Sequence, residues 1–129
     1  MPLPIGIPVS ASKLAAILTP EVLSWVQKRA KDFMGKPRGS KVKDGAYKDC
    51  LIETDPNEEY AFIVVDMGRG EVVMLTSDTI QSCQFLKEDK KLHKGKFKTY
   101  YYYNIIFKDG SRSYVRMRKK YRDAMLNHM

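Results

Sequence analysis

The first third of the chain carries apolar residues at the spacing of an α-helix. Val22, Val26 and Ala30 follow one another at intervals of four residues, with mostly polar residues between them, which predicts an amphipathic helix. Thr19 suits the N-cap of this helix, because its hydroxyl oxygen can accept a bond from a free helical N–H. Pro20 suits the first helical position, since it has no N–H to leave unpaired. We therefore predict a helix that starts at Pro20.

The segments on either side of this helix have other patterns. Residues 1–9 contain three prolines and predict an extended stretch. A short helix is predicted to follow, with Ser10 or Ser12 as its cap and Leu18 at its end. Residues 36–45 are basic and contain glycine and proline, which predicts a loop that links the helices to the rest of the chain.

Beyond residue 45 the apolar stretches become short and are separated by turn residues, which predicts antiparallel β-strands. The lysine-rich segment Glu88–Lys98 is predicted to be a loop before a final hairpin. Six strands in sequence order predict a meander that curls into a small barrel or half-barrel. The predicted strands are Ala46–Glu53, Tyr60–Met67, Glu71–Thr76, Ile80–Leu86 and the two strands that flank the turn Lys108, Asp109 and Gly110.

The last residues predict a helix that closes the sheet. Tyr121 and Met125 lie on one face of a helix that begins near Arg118, and charged residues occupy the other face. The fold class is therefore predicted to be α+β, with one or two N-terminal helices, about six antiparallel strands and a C-terminal helix. Residues 1–44 form the extended segment, helix and linker, and residues 45–129 form the barrel-like domain with its closing helix.

The side-chain pattern of the last hairpin selects between two turns. A two-residue turn at Asp109 and Gly110 places Tyr103 opposite Arg116 and brings arginines onto the apolar face. A three-residue turn with Gly110 in the left-handed conformation, followed by a bulge, places Tyr103 opposite Val115. We predict the three-residue turn, because it gives one apolar face and moves the polar side chains to the other. The predicted core-facing residues are Tyr101, Tyr103, Ile105, Phe107, Val115 and Met117.

Length and composition favour one soluble, cytoplasmic domain. The 129 residues are 43% hydrophobic, which is enough for a core without metal or disulfide support. The N-terminus lacks the basic start of a signal peptide, and no apolar run is long enough to span a bilayer. Cys50 and Cys83 are expected to be free thiols, and the scarcity of cysteine and histidine argues against a zinc site. We expect no metal and no cofactor.

The positive charge is concentrated in the C-terminal third. The net charge is +8, and residues 87–129 contain 13 Lys and Arg against 4 Asp and Glu, a net of +9. Such an excess attracts phosphates or anionic lipid, or it serves only as a solvated face that keeps the protein soluble. The candidate partner face is the outer side of the last hairpin with the neighbouring lysines, namely Tyr102, Asn104, Arg112, Tyr114, Arg116, Lys94, Lys96 and Lys98.

This face has a functional and a structural interpretation. Tyrosines that alternate with arginines suit stacking on nucleic-acid bases together with phosphate contact. Alternatively, Tyr102 and Arg116 stack on each other as a cross-strand pair, or the N-terminal helix covers the face. The closing helix is only about three turns long, so a membrane is not expected as a partner.

The strands and the closing helix contain four recognisable motifs. They are a leucine-threonine corner before an isoleucine, an aromatic-x-isoleucine-x-phenylalanine strand, a lysine-aspartate-glycine turn, and a closing helix with a tyrosine and a leucine. The positions that form them are Leu75, Thr76, Ile80, Tyr103, Ile105, Phe107, Lys108, Asp109, Gly110, Tyr121 and Leu126. These motifs resemble those of small bacterial domains with a pleckstrin-homology-like (PH-like) barrel. The resemblance covers residues 45–127 and implies the barrel fold, although Sm-like and SH3-like barrels share much of the pattern.

No residue pattern indicates an enzyme. Catalysis needs a base or nucleophile held by a partner, and the two histidines fall in a predicted loop and at the C-terminus. We therefore predict a non-catalytic binding or adaptor domain. Its partner is a protein, a peptide or a second copy, bound at an exposed strand edge or beside the closing helix. The alternative is an RNA- or DNA-binding protein that uses the basic, tyrosine-rich face.

Overall fold

A computed structural model describes residues 14–33 and 39–129, apart from the side chains of Asp32, Phe33 and His93. Within these residues it shows the predicted α+β class, with two helices and two antiparallel sheets of four strands each. The elements are β1 (Ala15–Ile17), α1 (Pro20–Phe33), β2 (Lys41–Gly45), β3 (Ile52–Thr54), β4 (Ala61–Asp66), β5 (Glu71–Met74), β6 (Ile80–His93), β7 (Lys96–Phe107), β8 (Arg112–Met117) and α2 (Lys119–Leu126).

The strands form two linked sheets rather than a closed barrel. The first sheet has the order β1-β5-β4-β3 and the second has the order β2-β8-β7-β6. The sheets meet where β2 approaches β3. There the N–H of Val42 donates to the carbonyl of Cys50 at 3.0 Å, and the N–H of Ile52 donates to the carbonyl of Ser40 at 2.9 Å. In the described part of the chain, β6 pairs with β7 alone.

Apolar side chains from both sheets fill the space between them. Ile63 of β4 and Ile105 and Phe107 of β7 have no exposed surface. The helix α2 covers one end of this core with Tyr121 and Met125, as their spacing predicts. Burial of these side chains supplies the main favourable free energy of folding.

The helix α1 covers the outer side of the first sheet. The strand β4 is apolar on both faces, so Ile63 points to the core between the sheets while Phe62 and Val64 point outward. Val26 of α1 packs against these two side chains and has no exposed surface. The helix therefore lies on the first sheet and not over the last hairpin of the second.

The predicted register of the last hairpin is confirmed. Tyr103 lies opposite Val115. The N–H of Phe107 donates to the carbonyl of Ser111 at 2.8 Å, which closes the three-residue turn. Gly110 has a φ of +89°, the left-handed conformation that this turn requires. The apolar face of the hairpin accordingly points into the core.

The predicted linker 36–45 is partly wrong. Its residues from Lys41 onward form β2, which pairs with β8 in the second sheet. Lys41 and Lys43 flank the buried Val42, which is the alternation of a half-buried strand. One apolar residue between lysines is too short a signal to predict a strand, so only the long-range pairing with β8 reveals it.

Two other local predictions are also wrong. The short helix predicted to end at Leu18 is replaced by β1, which pairs with β5; its proposed caps, Ser10 and Ser12, lie outside the described residues. The predicted strand Ala46–Glu53 is shortened to β3 because the preceding residues form a turn. Here the chain must turn sharply between β2 and β3, which neighbour each other.

The predicted lysine-rich loop Glu88–Lys98 is a continuation of β6 and β7. The two strands are joined by a two-residue turn at Lys94 and Gly95, whose φ values are +51° and +77°. Since β8 ends opposite Tyr101, the strands beyond it form a two-stranded ribbon, residues 89–100, which we name the arm. Backbone hydrogen bonds extend the arm without the apolar pattern that predicts a strand.

The close approach of β2 to β8 makes Gly45 a sensitive position. Its φ is +85°, and a Cβ atom placed on it would lie 2.4 Å from the carbonyl oxygen of Arg112. This oxygen belongs to the backbone of β8 and cannot move without disturbing the sheet. We expect Gly45→Ala to lower the free energy of unfolding by about 2 kcal/mol in urea denaturation.

Gly95→Ala is the matched control for this prediction. Gly95 also has a positive φ, +77°, but a Cβ atom there would meet nothing within 4 Å. The substitution Gly95→Ala therefore measures only the effect of placing a Cβ atom on a residue with a left-handed backbone conformation. We expect it to lower the free energy of unfolding by about 1 kcal/mol. Equal losses in the two variants would show that the contact with β8 has no effect.

Candidate nucleic-acid interface

The outer face of the second sheet is the side that points away from the core. Because side chains alternate along a strand, Tyr102 and Arg116 point outward while their neighbours Tyr103 and Val115 point inward. Lysines of β2 and β6 join this side, since β2 pairs with β8 and β6 pairs with β7. We name this surface the basic face. Its cations are Lys41, Lys43, Lys87, Lys91, Lys98, Arg112, Arg116 and Arg118.

The residues predicted to form the partner face all lie on β7, on β8 or in the turn of the arm, at different depths. Packing within the sheet covers some of them. Arg112, Lys94 and Lys96 are exposed, Asn104, Tyr114 and Lys98 are half-buried, and Tyr102 and Arg116 are buried.

Arg116 is held against the sheet by the backbone that precedes β2. Its Nε and one Nη donate to the carbonyl oxygen of Gly39 at 3.0 and 2.9 Å. The guanidinium also lies 4.9 Å from the centre of the Tyr100 ring. The residue is 6% exposed. Arg116 is therefore a buried positive charge beneath the exposed cations of the basic face, and its hydrogen bonds fix the segment before β2 against the sheet.

The outward tyrosine rings are covered by neighbouring side chains. The ammonium of Lys87 lies 4.7 Å from the centre of the Tyr102 ring. The ring of Tyr114 stacks beside it at 5.8 Å and 25°. Tyr102 is 5% exposed as a result. Since a ring must offer a free face to stack on a base, this geometry does not support base stacking on Tyr102.

Cations from three strands converge on Lys43. Burial lowers the pKa of its ammonium group, and the positive charges of Arg116, Lys41 and Lys91 lower it further. Like charges held together oppose folding, so this arrangement favours an anion that neutralises them. The cations of the basic face therefore lie close enough together to repel one another.

Carboxylates offset only part of this charge. Lys91 lies 3.8 Å from Asp89, and Lys41 lies 3.8 Å from Asp49. All four side chains are partly or largely exposed, so water and salt weaken both pairs. Lys91 also lies directly opposite Lys98, a cross-strand pair of like charges that destabilises the ribbon.

Four cations of the basic face were not expected from the sequence: Lys41, Lys43, Lys87 and Arg118. Lys41 and Lys43 fall in the predicted linker, Lys87 directly follows the predicted strand Ile80–Leu86, and Arg118 lies at the start of the predicted closing helix. The signal that could have found the first two is their alternation around Val42. It becomes informative only once β2 is known to lie beside β8.

Removal of one crowded charge is expected to stabilise the protein. Lys43→Met should raise the free energy of unfolding at neutral pH by about 0.5 kcal/mol, because the repulsion disappears while the apolar stem remains. The lowered pKa means that folding opposes the charged form, so the gain should shrink as the pH rises toward the ordinary value of 10.5. Urea denaturation at several pH values measures this.

Lys108→Met serves as the matched control. Lys108 is exposed in the turn between β7 and β8, at the end of β7 that lies away from the arm. This substitution makes the same chemical change outside the basic face and should give no gain in stability that shrinks as the pH rises. A Lys43 variant that is less stable than the parent would show that packing of the lysine outweighs its repulsion.

The remaining candidate chemistry is limited in the described residues. Cys50 and Cys83 are free thiols, as predicted, and burial raises the pKa of Cys83 to about 11. Among the residues that the structure describes, no group of three His, Cys, Asp or Glu side chains is placed to hold a metal ion. None of the helices in residues 14–33 and 39–129 is long and apolar enough to cross a membrane.

Comparison of the chain with protein-family models, with curated proteins and with solved structures finds no match. The interpretation of the basic face therefore rests on its own geometry and charge.

Proposed function

We propose that this protein is a non-catalytic binding domain with a PH-like arrangement, and that its basic face binds the phosphate backbone of nucleic acid. The observation that carries the proposal is the convergence of cations from β2, β6, β7 and β8 on one side of the second sheet. Phosphates are the natural partners of such a surface, and release of their counterions drives binding.

The PH-like part of the proposal is supported by the order of the elements. The strands β3, β4 and β5 pair in sequence order in one sheet, and β6, β7 and β8 do so in the other. The closing helix α2 then covers one end of the core between them. The motif residues Leu75, Thr76 and Ile80 lie at the corner where the chain passes from β5 to β6, and all three are buried.

Phosphate contact is better supported than recognition of bases. The rings of Tyr100 and Tyr102 are buried under arginine and lysine side chains, so they offer no free stacking face. The exposed groups on this side are cations such as Arg112, Lys87 and Lys91. Cationic side chains that contact phosphates carry little sequence information, so binding should be strongly salt-dependent and weakly sequence-dependent.

Binding of a peptide at the strand edge has less support. The free edge of β6 is interrupted by two register shifts, near Ser82 and near Lys87. It also carries exposed lysines at positions 87, 90 and 91. Bulges and edge lysines are the features by which proteins prevent another strand from pairing. The protein-partner interpretation, which the sequence favoured, therefore becomes the alternative to nucleic-acid binding in this proposal.

The test measures binding of a fluorescent, mixed-sequence DNA by anisotropy at several salt concentrations. The parent should bind at low salt and lose affinity about 100-fold or more between about 50 and 200 mM salt. Lys43→Gln/Lys91→Gln should weaken binding at all sequences and reduce the slope of log K against log salt by about 2.

Lys28→Gln/Lys108→Gln is the matched control. Both lysines are exposed, Lys28 lies on α1 and Lys108 in the last turn, and the change in net charge is the same. This pair should reduce the slope far less than the pair on the basic face. No binding of the parent at low salt, or equal losses in the two double variants, would overturn the proposal.

A further inference from the structure

The arm has two faces of different chemistry. On the side that continues the basic face, Lys91 lies opposite Lys98. On the other side, Leu92 lies opposite Phe97. These apolar residues are 61% and 73% exposed, and Phe85, on the same side and nearer the domain, is 52% exposed. The arm is therefore an amphipathic β-ribbon with an apolar pair close to its tip.

Nucleic acid on the basic face does not explain this apolar pair. Leu92 and Phe97 point to the opposite side of the ribbon, so they stay in water when a ligand lies against Lys91 and Lys98. Water around two large apolar side chains is unfavourable, and the arm holds them at its far end, away from the core. A second ligand with an apolar component accounts for both observations.

We propose that the arm docks on the surface of an anionic lipid bilayer, with Leu92 and Phe97 entering between the head groups. Charge complementarity selects this occupant, because the arm contains five lysines and one aspartate. Cations near an anionic bilayer are attracted to it, and apolar side chains gain free energy when they enter the interface. Lysine side chains on the flanks can place their ammonium groups at head-group level while their stems contact apolar surface.

The shape of the arm agrees with a bilayer. The ribbon extends beyond β8 by about five residue pairs, or roughly 17 Å, so its tip can reach a surface that the rest of the domain does not touch. A projecting ribbon lies flat on a bilayer without needing a groove. A second copy fits less well, since contact between two such arms would bring ten lysines together.

This inference goes beyond the proposed function, because it concerns the opposite side of the arm. The two are separable by experiment: changes on the apolar side should act on vesicle binding, and changes on the basic face should act on nucleic-acid binding. Lysines of the arm, Lys91 included, contribute charge to both surfaces, so the apolar side chains are used to distinguish the two proposals.

The first experiment places a fluorescent reporter at the tip. Phe97→Trp is made in a Trp25→Phe background, so that the protein contains a single tryptophan. With vesicles of phosphatidylcholine and phosphatidylserine, its emission should shift to shorter wavelength and be quenched by brominated lipid chains. Ile17→Trp in the same background is the matched control; Ile17 is 67% exposed on β1, and a tryptophan there should show neither effect.

The second experiment keeps Trp25 and does not depend on the reporter background. Leu92→Ser/Phe97→Ser should lower the partition coefficient in vesicle sedimentation at least about 10-fold, and Ile17→Ser should leave it unchanged. Affinity for DNA should be unaltered in both variants. Pure phosphatidylcholine vesicles should bind the parent more weakly than the anionic vesicles.

Three results would overturn the proposal. The first is no emission shift at position 97 and no loss of sedimentation in the double variant. The second is equal binding to neutral and anionic vesicles. The third is a change of oligomeric state in Leu92→Ser/Phe97→Ser without a change in vesicle binding, which would assign the apolar pair to a second copy. If the parent protein binds vesicles but does not bind DNA at low salt, that result counts against the proposed function alone.

Discussion

Phe107→Ala is expected to lower the free energy of unfolding by about 4 kcal/mol, because the substitution leaves a cavity in the core between the two sheets. Phe107 has no exposed surface. The ring of Tyr47 packs edge-on against it, with centroids 5.9 Å apart at 84°. The turn of the last hairpin begins at Phe107, so its backbone is fixed and cannot move to fill the space.

Urea denaturation of Phe107→Ala and Phe97→Ala tests this prediction. The two variants make the same chemical change at fully buried and 73% exposed positions. Phe97→Ala should change stability by less than about 0.5 kcal/mol, as is usual for exposed sites. A loss below about 1 kcal/mol in Phe107→Ala would mean that the sheets can close around the cavity.

Arg29→Met is expected to lower the free energy of unfolding by about 3 kcal/mol, the low end of the range for a broken buried ion pair. The Nε of Arg29 lies 3.4 Å from Oε2 of Glu53, whose side chain is 3% exposed, while that of Arg29 is 25% exposed. A second guanidinium nitrogen donates to the hydroxyl of Tyr121 at 3.3 Å. The arginine thus joins α1 to β3 and to α2.

The loss in Arg29→Met should depend on pH. Burial raises the pKa of Glu53, and the positive charges of Arg29 and Lys120 oppose this rise. Without Arg29 the pKa should rise further, because one of the groups that stabilise the carboxylate is gone. The loss of stability in Arg29→Met is therefore expected in full at pH values above the raised pKa of Glu53. It should shrink as the pH falls toward the ordinary value of 4.5, where the buried carboxyl group of Glu53 is neutral.

Tryptophan fluorescence and urea denaturation follow this change, since Trp25 is the single tryptophan and its ring lies 5.4 Å from the Arg29 guanidinium. Arg29→Met/Glu53→Met is the control. An apolar pair of similar volume leaves no buried charge and should recover most of the loss. If the double variant is as unstable as Arg29→Met, the arginine acts through packing rather than through its charge.

Local signals predicted the two amphipathic helices and the last hairpin. The helix α1 starts at Pro20, as the threonine-proline pair predicts, and Tyr121 and Met125 of α2 are buried. The hairpin register followed from one requirement, that a single face be apolar, and the structure has Tyr103 opposite Val115. These elements are determined by residues close in sequence, so their patterns can be recognised without knowledge of the rest of the chain.

The sequence did not predict β2 or the arm as strands. Both contain many lysines and few apolar residues, so the period of two that marks a strand is not visible as hydrophobicity. The backbone of β2 pairs with residues about seventy positions later in the chain, such as Val42 with Val115. Pairing over that distance depends on where the other strands lie and cannot be read from a short segment.

By itself, the sequence determined the α+β class, the inward side of the last hairpin and the location of the excess charge, because each depends on local periodicity or composition. Only the tertiary structure decided how that charge is arranged. Pairing of β2 with β8 places Lys43 near Arg116, and a hydrogen bond to the carbonyl oxygen of Gly39 keeps the side chain of Arg116 buried against the sheet. Exposure and charge clustering are properties of contacts between distant segments, and these contacts exist only after the chain has folded.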